Sequence, residues 1–324
     1  MVKKKIYYGI DWLRAFACIG IALMHIRANS NYHILGNFYN VFIPSLTNFV
    51  YLFMAISAFV MCLGYFDKVM NGSINWTDFY KKRYTRILPF FAILVILDVF
   101  SSFNINSLLE GITELTLLHG FIPQELSVIG VGWYLGTVFV FYLIFPFFCV
   151  LIENKKRAWI SFIIFLILHY VCVYQFSLNR HNIIFSLCYF LAGGLVYLYR
   201  KDLSKICFRY YIILFLFVSI IYYLFYKNDL VLIILVVLLL SAAIAVDIGE
   251  SKFISFISGL SMEIYLSHMM LFRVCEKLHI NTFFGDGLFQ YIFTSSFVIF
   301  GCIIFSFLTK RLIKKIERDL LKYR

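Results

Sequence analysis

Ten apolar runs separated by polar breaks dominate this chain, near residues 7–26, 41–65, 87–103, 131–152, 158–176, 182–199, 210–226, 230–246, 254–273 and 288–308. A helix needs roughly 17–25 mostly apolar residues to cross the hydrocarbon core of a bilayer. Each run has that length, so the sequence predicts an all-α polytopic membrane protein with about ten transmembrane helices. Composition agrees: 62% of the 324 residues are hydrophobic and 14% charged, against roughly 45–50% and 25% in a soluble domain. A soluble globular fold is excluded, and ten spans leave too little chain for a separate soluble unit, so residues 1–324 read as a single transmembrane domain. The 38 Phe and 23 Tyr residues suit lipid contact and interfacial belts.

A formal charge of +12 raises the question of a nucleic-acid partner, and the distribution of the charge answers it. With the N-terminus in the cytoplasm, 23 of the 29 Lys and Arg residues fall in inside segments. Only Arg27, Arg180, Lys227, Arg273 and Lys277 fall outside, and Arg14 lies within the membrane. The positive-inside rule then puts both termini in the cytoplasm, and the basic residues meet the anionic inner leaflet, not nucleic acid. The N-terminal MVKKKIYYGI has the charge of a signal peptide but no small-residue cleavage site, so it reads as an uncleaved first span. Residues 310–324, KRLIKKIERDLLKYR, read as a basic amphipathic cytoplasmic tail on the inner leaflet. The eight Cys residues show no metal-binding spacing and read as structural thiols.

Span 1, IDWLRAFACIGIALMHIRA, sets Asp11, Arg14 and His25 in or beside an apolar helix. Ionisable groups at such depth cost several kcal/mol and mark function by default. Arg14 and His25 share one helical face about 16 Å apart along the axis, placing them at different depths of one polar path. Asp11, three residues before Arg14, is spaced to hold its guanidinium. The structural alternative is a snorkelling Arg with its Asp and an interfacial His. Span 3 opens YKKRYTRILPFF, which predicts Arg83 and Arg86 at a helix N-terminus with Pro89 in the first turn. That would make an anion site, or else a topology anchor. Asp98, deeper in this span, has no obvious partner and reads first as glue between helices. The external loop 104–130 carries Glu110, Glu114, His119 and Glu125. His33, His169 and His181 look interfacial and take no role.

Four features together carry a resemblance: Arg14 and His25 at their spacing, the Arg83-x-x-Arg86 pair, LHGFIPQELSVIGVGWYLGTVFVFYLIFP at 118–146, and GLSMEIYLSHMM at 259–270. They are similar to the acyltransferase family 3 integral membrane proteins, from Asp11 to about span 10. The resemblance implies transfer of an acyl group, usually acetyl, from cytoplasmic acyl-CoA to a hydroxyl of a cell-surface or lipid-linked glycan, with no metal. It implies that Arg14 and His25, with Asp11 beside them, form the catalytic group and that Arg83 and Arg86 bind the donor. His119, Glu125, Trp133, Tyr134 and His268 are candidates for touching the acceptor. His268, which closes its motif, sits at about the depth of His25 and reads first as a histidine hydrogen-bonded between helices.

Two departures stand out. Many members carry a Glu where this chain has Val138, leaving Asp98, Glu125 and Glu263 as possible substitutes. Ser57 and Ala58 stand where Gly is common, which suggests slightly looser helix packing. No hydrolase domain of the SGNH type follows, so the resemblance is to a stand-alone form. The competing reading is a transporter or flippase in which Arg14, Asp98 and His25 line a path. Such proteins typically show repeated halves with broken helices, and none is evident here. The Ile, Lys, Asn, Phe and Tyr bias suggests an AT-rich bacterial genome and hence a bacterial cytoplasmic membrane.

Overall fold

The computed structural model describes residues 6–101, 103–122, 129–225 and 227–322. The chain is helical, with no strand among the described residues. In order it runs α1 (Tyr8–Ala28), α2 (Ile43–Ser45), α3 (Phe49–Met70), α4 (Trp76–Ser101), α5 (Ile105–Leu115), α6 (Trp133–Leu151), α7 (Lys155–Phe176), α8 (Ile183–Leu203), α9 (Phe208–Leu224), α10 (Asp229–Ala245), α11 (Lys252–Gly259), α12 (Ser261–Lys277) and α13 (Leu288–Lys322). The described residues of the apolar runs lie mostly on these helices. Among the described residues seven helices are long and apolar enough to cross a membrane, and the pair α11–α12, bent by 64°, makes an eighth. The apolar helices α9 and α10 have 17 residues each, about 26 Å of helix, at the lower limit for a crossing.

Sequence sets the helix starts. Side chains of Asn154, Asn182, Asn228 and Ser251 accept backbone N–H bonds in the first turns of α7, α8, α10 and α11, satisfying donors that a helix start leaves open. Asn104 and Ser107 form a reciprocal capping box on α5. Asn75 does the same work for α4: its side-chain oxygen accepts the N–H of Asp78 at 3.1 Å, so α4 begins about three turns before the apolar run. Pro89 therefore lies inside the helix, contrary to the first-turn position expected from sequence.

Helix α1 is the hub, packing on α3, α10, α11, α12 and α13. Its buried residues are mostly small, among them Ala15, Ala17, Cys18, Gly20 and Ala22, and small residues let helices approach closely in a membrane. A side chain at Gly9 would run into the Ala243 carbonyl of α10, and one at Gly193 of α8 into that of Ala55 on α3. The α3–α8 approach thus depends on Gly193 and Ala55, while Ala58 is fully buried. Aromatic stacking fills the seam between α6 and α8, where the Phe141 and Phe190 rings lie 4.1 Å apart. The large apolar residues of α7 and α9, such as Ile163, Ile167, Ile213 and Phe217, face outward, as helices against lipid should.

Ion pairs lock the bundle at several points. Asp98 is not unpartnered: Arg273 of α12 reaches it at 2.6 Å, across 175 residues of sequence. His169 is buried between α7, α8 and α10, with Nε2 3.0 Å from Asp229 and Nδ1 2.9 Å from the Phe185 carbonyl. His33 is surface-exposed and pairs with Asp286 at 2.7 Å. Six of the eight cysteines are buried and all are free thiols. Residues 310–322 continue α13 without a break, so the basic tail does not fold back as a separate segment. At 35 residues this helix is about 52 Å long.

Candidate functional site

Arg14 projects from α1 into a cavity of about 90 Å³ that it shares with Arg86 of α4. Ser57 of α3, Tyr134, Val138 and Tyr142 of α6, and Ser261 and Tyr265 of α12 complete most of its wall. No carboxylate lines it among the described residues, and neither arginine makes an ion pair or hydrogen bond there. The expected Asp11–Arg14 bond is not formed. Asp11 instead accepts the Ser258 hydroxyl of α11 at 2.7 Å, so it stays near enough to act on Arg14 through space but is held by another helix. Val138 presents an apolar wall at the position where the resemblance implied Glu. Its candidate substitutes are engaged or unplaced: Asp98 holds Arg273, Glu263 holds Lys310 at 2.8 Å, and Glu125 lies outside the described residues.

The early start of α4 changes the chemistry expected of Arg83 and Arg86. Both sit in the helix interior, where backbone N–H groups are already bonded within the helix, so no free helix N-terminus adds to their charge. They also part company. Arg83 donates to the Tyr65 hydroxyl at 2.9 Å and lies over the rings of Tyr65, Tyr142 and Phe79 at 5.3, 5.5 and 5.8 Å. Of the two, only Arg86 lines the cavity, and it is an exposed residue. Tyr142 stands between them, cavity wall on one side and cation–π partner of Arg83 on the other.

Two tyrosines lead from this cavity to a pair of histidines. The Tyr134 and Tyr265 rings are 5.3 Å apart, and the Tyr265 hydroxyl donates to the Val131 carbonyl at 3.0 Å. One turn further along α12, His268 is fully buried. Its ring lies 5.1 Å from that of His25. Nearby, Arg180 lies over Trp133 at 5.2 Å, and Trp133 stacks on His181 at 5.0 Å. Arg14 thus lies at the cavity and His25 beside His268 further along α1, and Tyr265 is near both, lining the cavity with its ring 5.9 Å from that of His268.

His119 stands apart from it. Its Nε2 lies 3.0 Å from the Gly132 carbonyl, burial holds it below the ordinary imidazole range, and Gly120 beside it packs directly on the Gly136 backbone. This contact pins the loop before α6 to that helix. Tyr142, Tyr265 and Arg180 were missed from sequence. Tyr265 carried a signal, because it lies one helical turn from His268, whereas Tyr142 and Arg180 looked like any other aromatic and loop cation.

The arrangement offers positive charge with no carboxylate on the cavity wall among the described residues, hydroxyls on that wall, and two imidazoles beyond it. This set suits an anionic, electrophilic substrate met by a base. Among known families, residues 7–311 match the profile described as an acyltransferase domain. Neither a curated protein nor a solved structure matches the chain.

Proposed function

Because the chain belongs to acyltransferase family 3, we propose that this multi-pass membrane acyltransferase moves an acetyl group from cytoplasmic acyl-CoA to a hydroxyl of a cell-surface or lipid-linked glycan. The observation that carries the reading is the cavity in which Arg14 and Arg86 meet with no carboxylate on its wall among the described residues. Unpaired guanidiniums in a membrane protein are costly, and an anionic donor offsets that cost when it binds. Arg86, open to solvent on one side, receives the charged donor. Arg14, deeper, draws the pantetheine arm of the donor inward, toward the His25 end where the acyl group is transferred.

The acceptor reaches the group from the His25 end. His25 takes the proton of the acceptor hydroxyl as general base, or first carries the acyl group itself. Either way the donor leaves as the thiol and the acceptor as the ester. Trp133 with Arg180 supplies an aromatic face and a donor fork, the combination a sugar ring prefers. The donor role assigned to the Arg83 and Arg86 pair narrows to Arg86, with Arg83 bracing Tyr142.

Orientation follows from charge. The 23 inside basic residues of 29 support both termini in the cytoplasm, with ten crossings once α9, α10 and the bent pair each count as a span. The protein then sits in a bacterial cytoplasmic membrane, with the Arg86 opening inward and His25 outward. The deciding experiment is incubation of the purified protein in detergent with acetyl-CoA, with released CoA measured by chromatography. CoA release that is lost in Arg14→Ala supports the reading. Neither release nor binding of CoA by the wild type would overturn the donor assignment.

A further inference from the structure

The ring of His268 has its hydrogen placement fixed by its surroundings. Nδ1 lies 2.5 Å from the Tyr265 carbonyl, and a carbonyl oxygen only accepts, so Nδ1 carries the hydrogen. The other nitrogen, Nε2, then holds the lone pair, and it is buried without a hydrogen-bond partner. An acceptor left unmet in an apolar interior is costly, which makes its neighbours the question. Tyr265, whose ring lies 5.9 Å away, is not the donor, because its hydroxyl is engaged by the Val131 carbonyl. The remaining neighbouring ring is that of His25, 5.1 Å away and inclined by 46°. The terminal torsion of a histidine is broad, so a turn of the His25 ring brings one of its nitrogens to Nε2.

We propose that an N–H of His25 donates to Nε2 of His268, and that His268 is thereby the positioning residue that fixes the tautomer of His25. The order passes along a chain: the Tyr265 carbonyl sets His268, and His268 sets His25. The second nitrogen of His25 is then always the one with the lone pair, aimed away from His268. This inference rests on the reading of His25 as the group that meets the acceptor. In the transfer step the acceptor oxygen bonds to the acyl carbon, the carbon–sulfur bond breaks, and the hydroxyl proton passes to the free nitrogen of His25. The imidazolium so formed keeps its other N–H on His268, and the proton it gained passes to the thiolate, which leaves as the thiol. Without His268, His25 would populate both tautomers and turn freely, and only part of the population would be ready to react.

The test uses the full-length protein in detergent with ¹⁵N-labelled histidine. Nitrogen spectra of the wild type and of His25→Ala identify the His25 signals, and His268→Phe, His268→Leu and His268→Gln follow. We expect one tautomer at His25 in the wild type, a mixture in the Phe and Leu variants, and a partial return in the Gln variant, whose amide oxygen can accept. CoA release should fall in kcat by about 10²-fold in the Phe and Leu variants, the cost of a misplaced reacting group, with donor KM unchanged and partial recovery in Gln. Identical His25 spectra in the wild type and both acceptor-lacking variants would overturn the proposal. Those spectra require no substrate, so they decide the role of His268 even if acetyl-CoA proves not to be the donor.

Discussion

Lys310 reaches Glu263 at 2.8 Å and donates to the Gly259 carbonyl at 2.7 Å, so a single ammonium ties α13 to both sides of the bend between α11 and α12. Glu263 is 3% exposed, and its second oxygen has no partner. The first turn of α12 lines the arginine cavity, so this tie also holds one of its walls.

Removing Lys310 should therefore leave a buried carboxylate unpaired. Lys310→Met is expected to destabilise the protein by about 3 kcal/mol, the lower end for a broken buried pair. Adding Glu263→Gln should restore most of the loss. Thermal unfolding in detergent checks both, and equal stability of the single variant and the wild type would show that the pair contributes nothing.

Arg83 and Arg86 should behave differently, since one lies in an aromatic cage and the other faces the cavity. Arg86→Ala should weaken CoA binding by about 1.5–3 kcal/mol, the range for bonds to charged groups, and Lys should restore only part because it lacks the planar fork. Arg83→Ala should act mainly on stability and much less on binding. Calorimetric titration of CoA against the four Ala and Lys variants separates the two, and equal losses at both positions would return them to a joint clamp.

His25→Ala should abolish acyl transfer while the protein inserts and accumulates normally. A base or acyl carrier contributes roughly 10²–10⁴-fold, whereas a structural hydrogen bond contributes about 1 kcal/mol of stability. Retention of half the wild-type rate would reduce His25 to a structural role.

Glu114 carries a pH dependence outside the spanning segments. Burial pushes its carboxyl up to about 8, against the pull of the Ile129 N–H that it accepts at 3.0 Å. From the ordinary carboxylic range up to about 8 the folded protein holds a proton that the unfolded chain has released, so stability falls as pH rises through that window and levels off above it. Glu114→Gln stays neutral and should flatten the profile. Melting temperatures of the two proteins from pH 5 to 9 read this directly, and parallel curves would remove Glu114 as the cause.

Length and apolarity made the helices legible from sequence, because a segment that crosses lipid must be both long and apolar. The Arg14–His25 face was legible for a similar reason, since helical periodicity within one element needs no partner. The start of α4 was not. Its first three turns are polar and look like loop on an apolar scale, although Asn75 three residues before Asp78 was a capping signal. That misplacement put Arg83 and Arg86 at a helix end and made them equivalent. The meetings of Asp98 with Arg273 and of His25 with His268 depend on how α1, α4 and α12 cross, which no local pattern encodes.

Under the proposed reading Arg14 and Arg86, facing one cavity with no carboxylate among the described residues, should attract a small anion while no donor is bound. Between turnovers chloride or inorganic phosphate can neutralise the pair, and the donor must displace that ion to enter. Donor KM should then be lower in gluconate, a bulkier and more strongly hydrated anion, than in chloride at the same ionic strength. An identical KM in both salts would mean that the cavity stands without a counter-ion. If so, the ions bathing the cavity would set the working affinity for the donor as much as the sequence does.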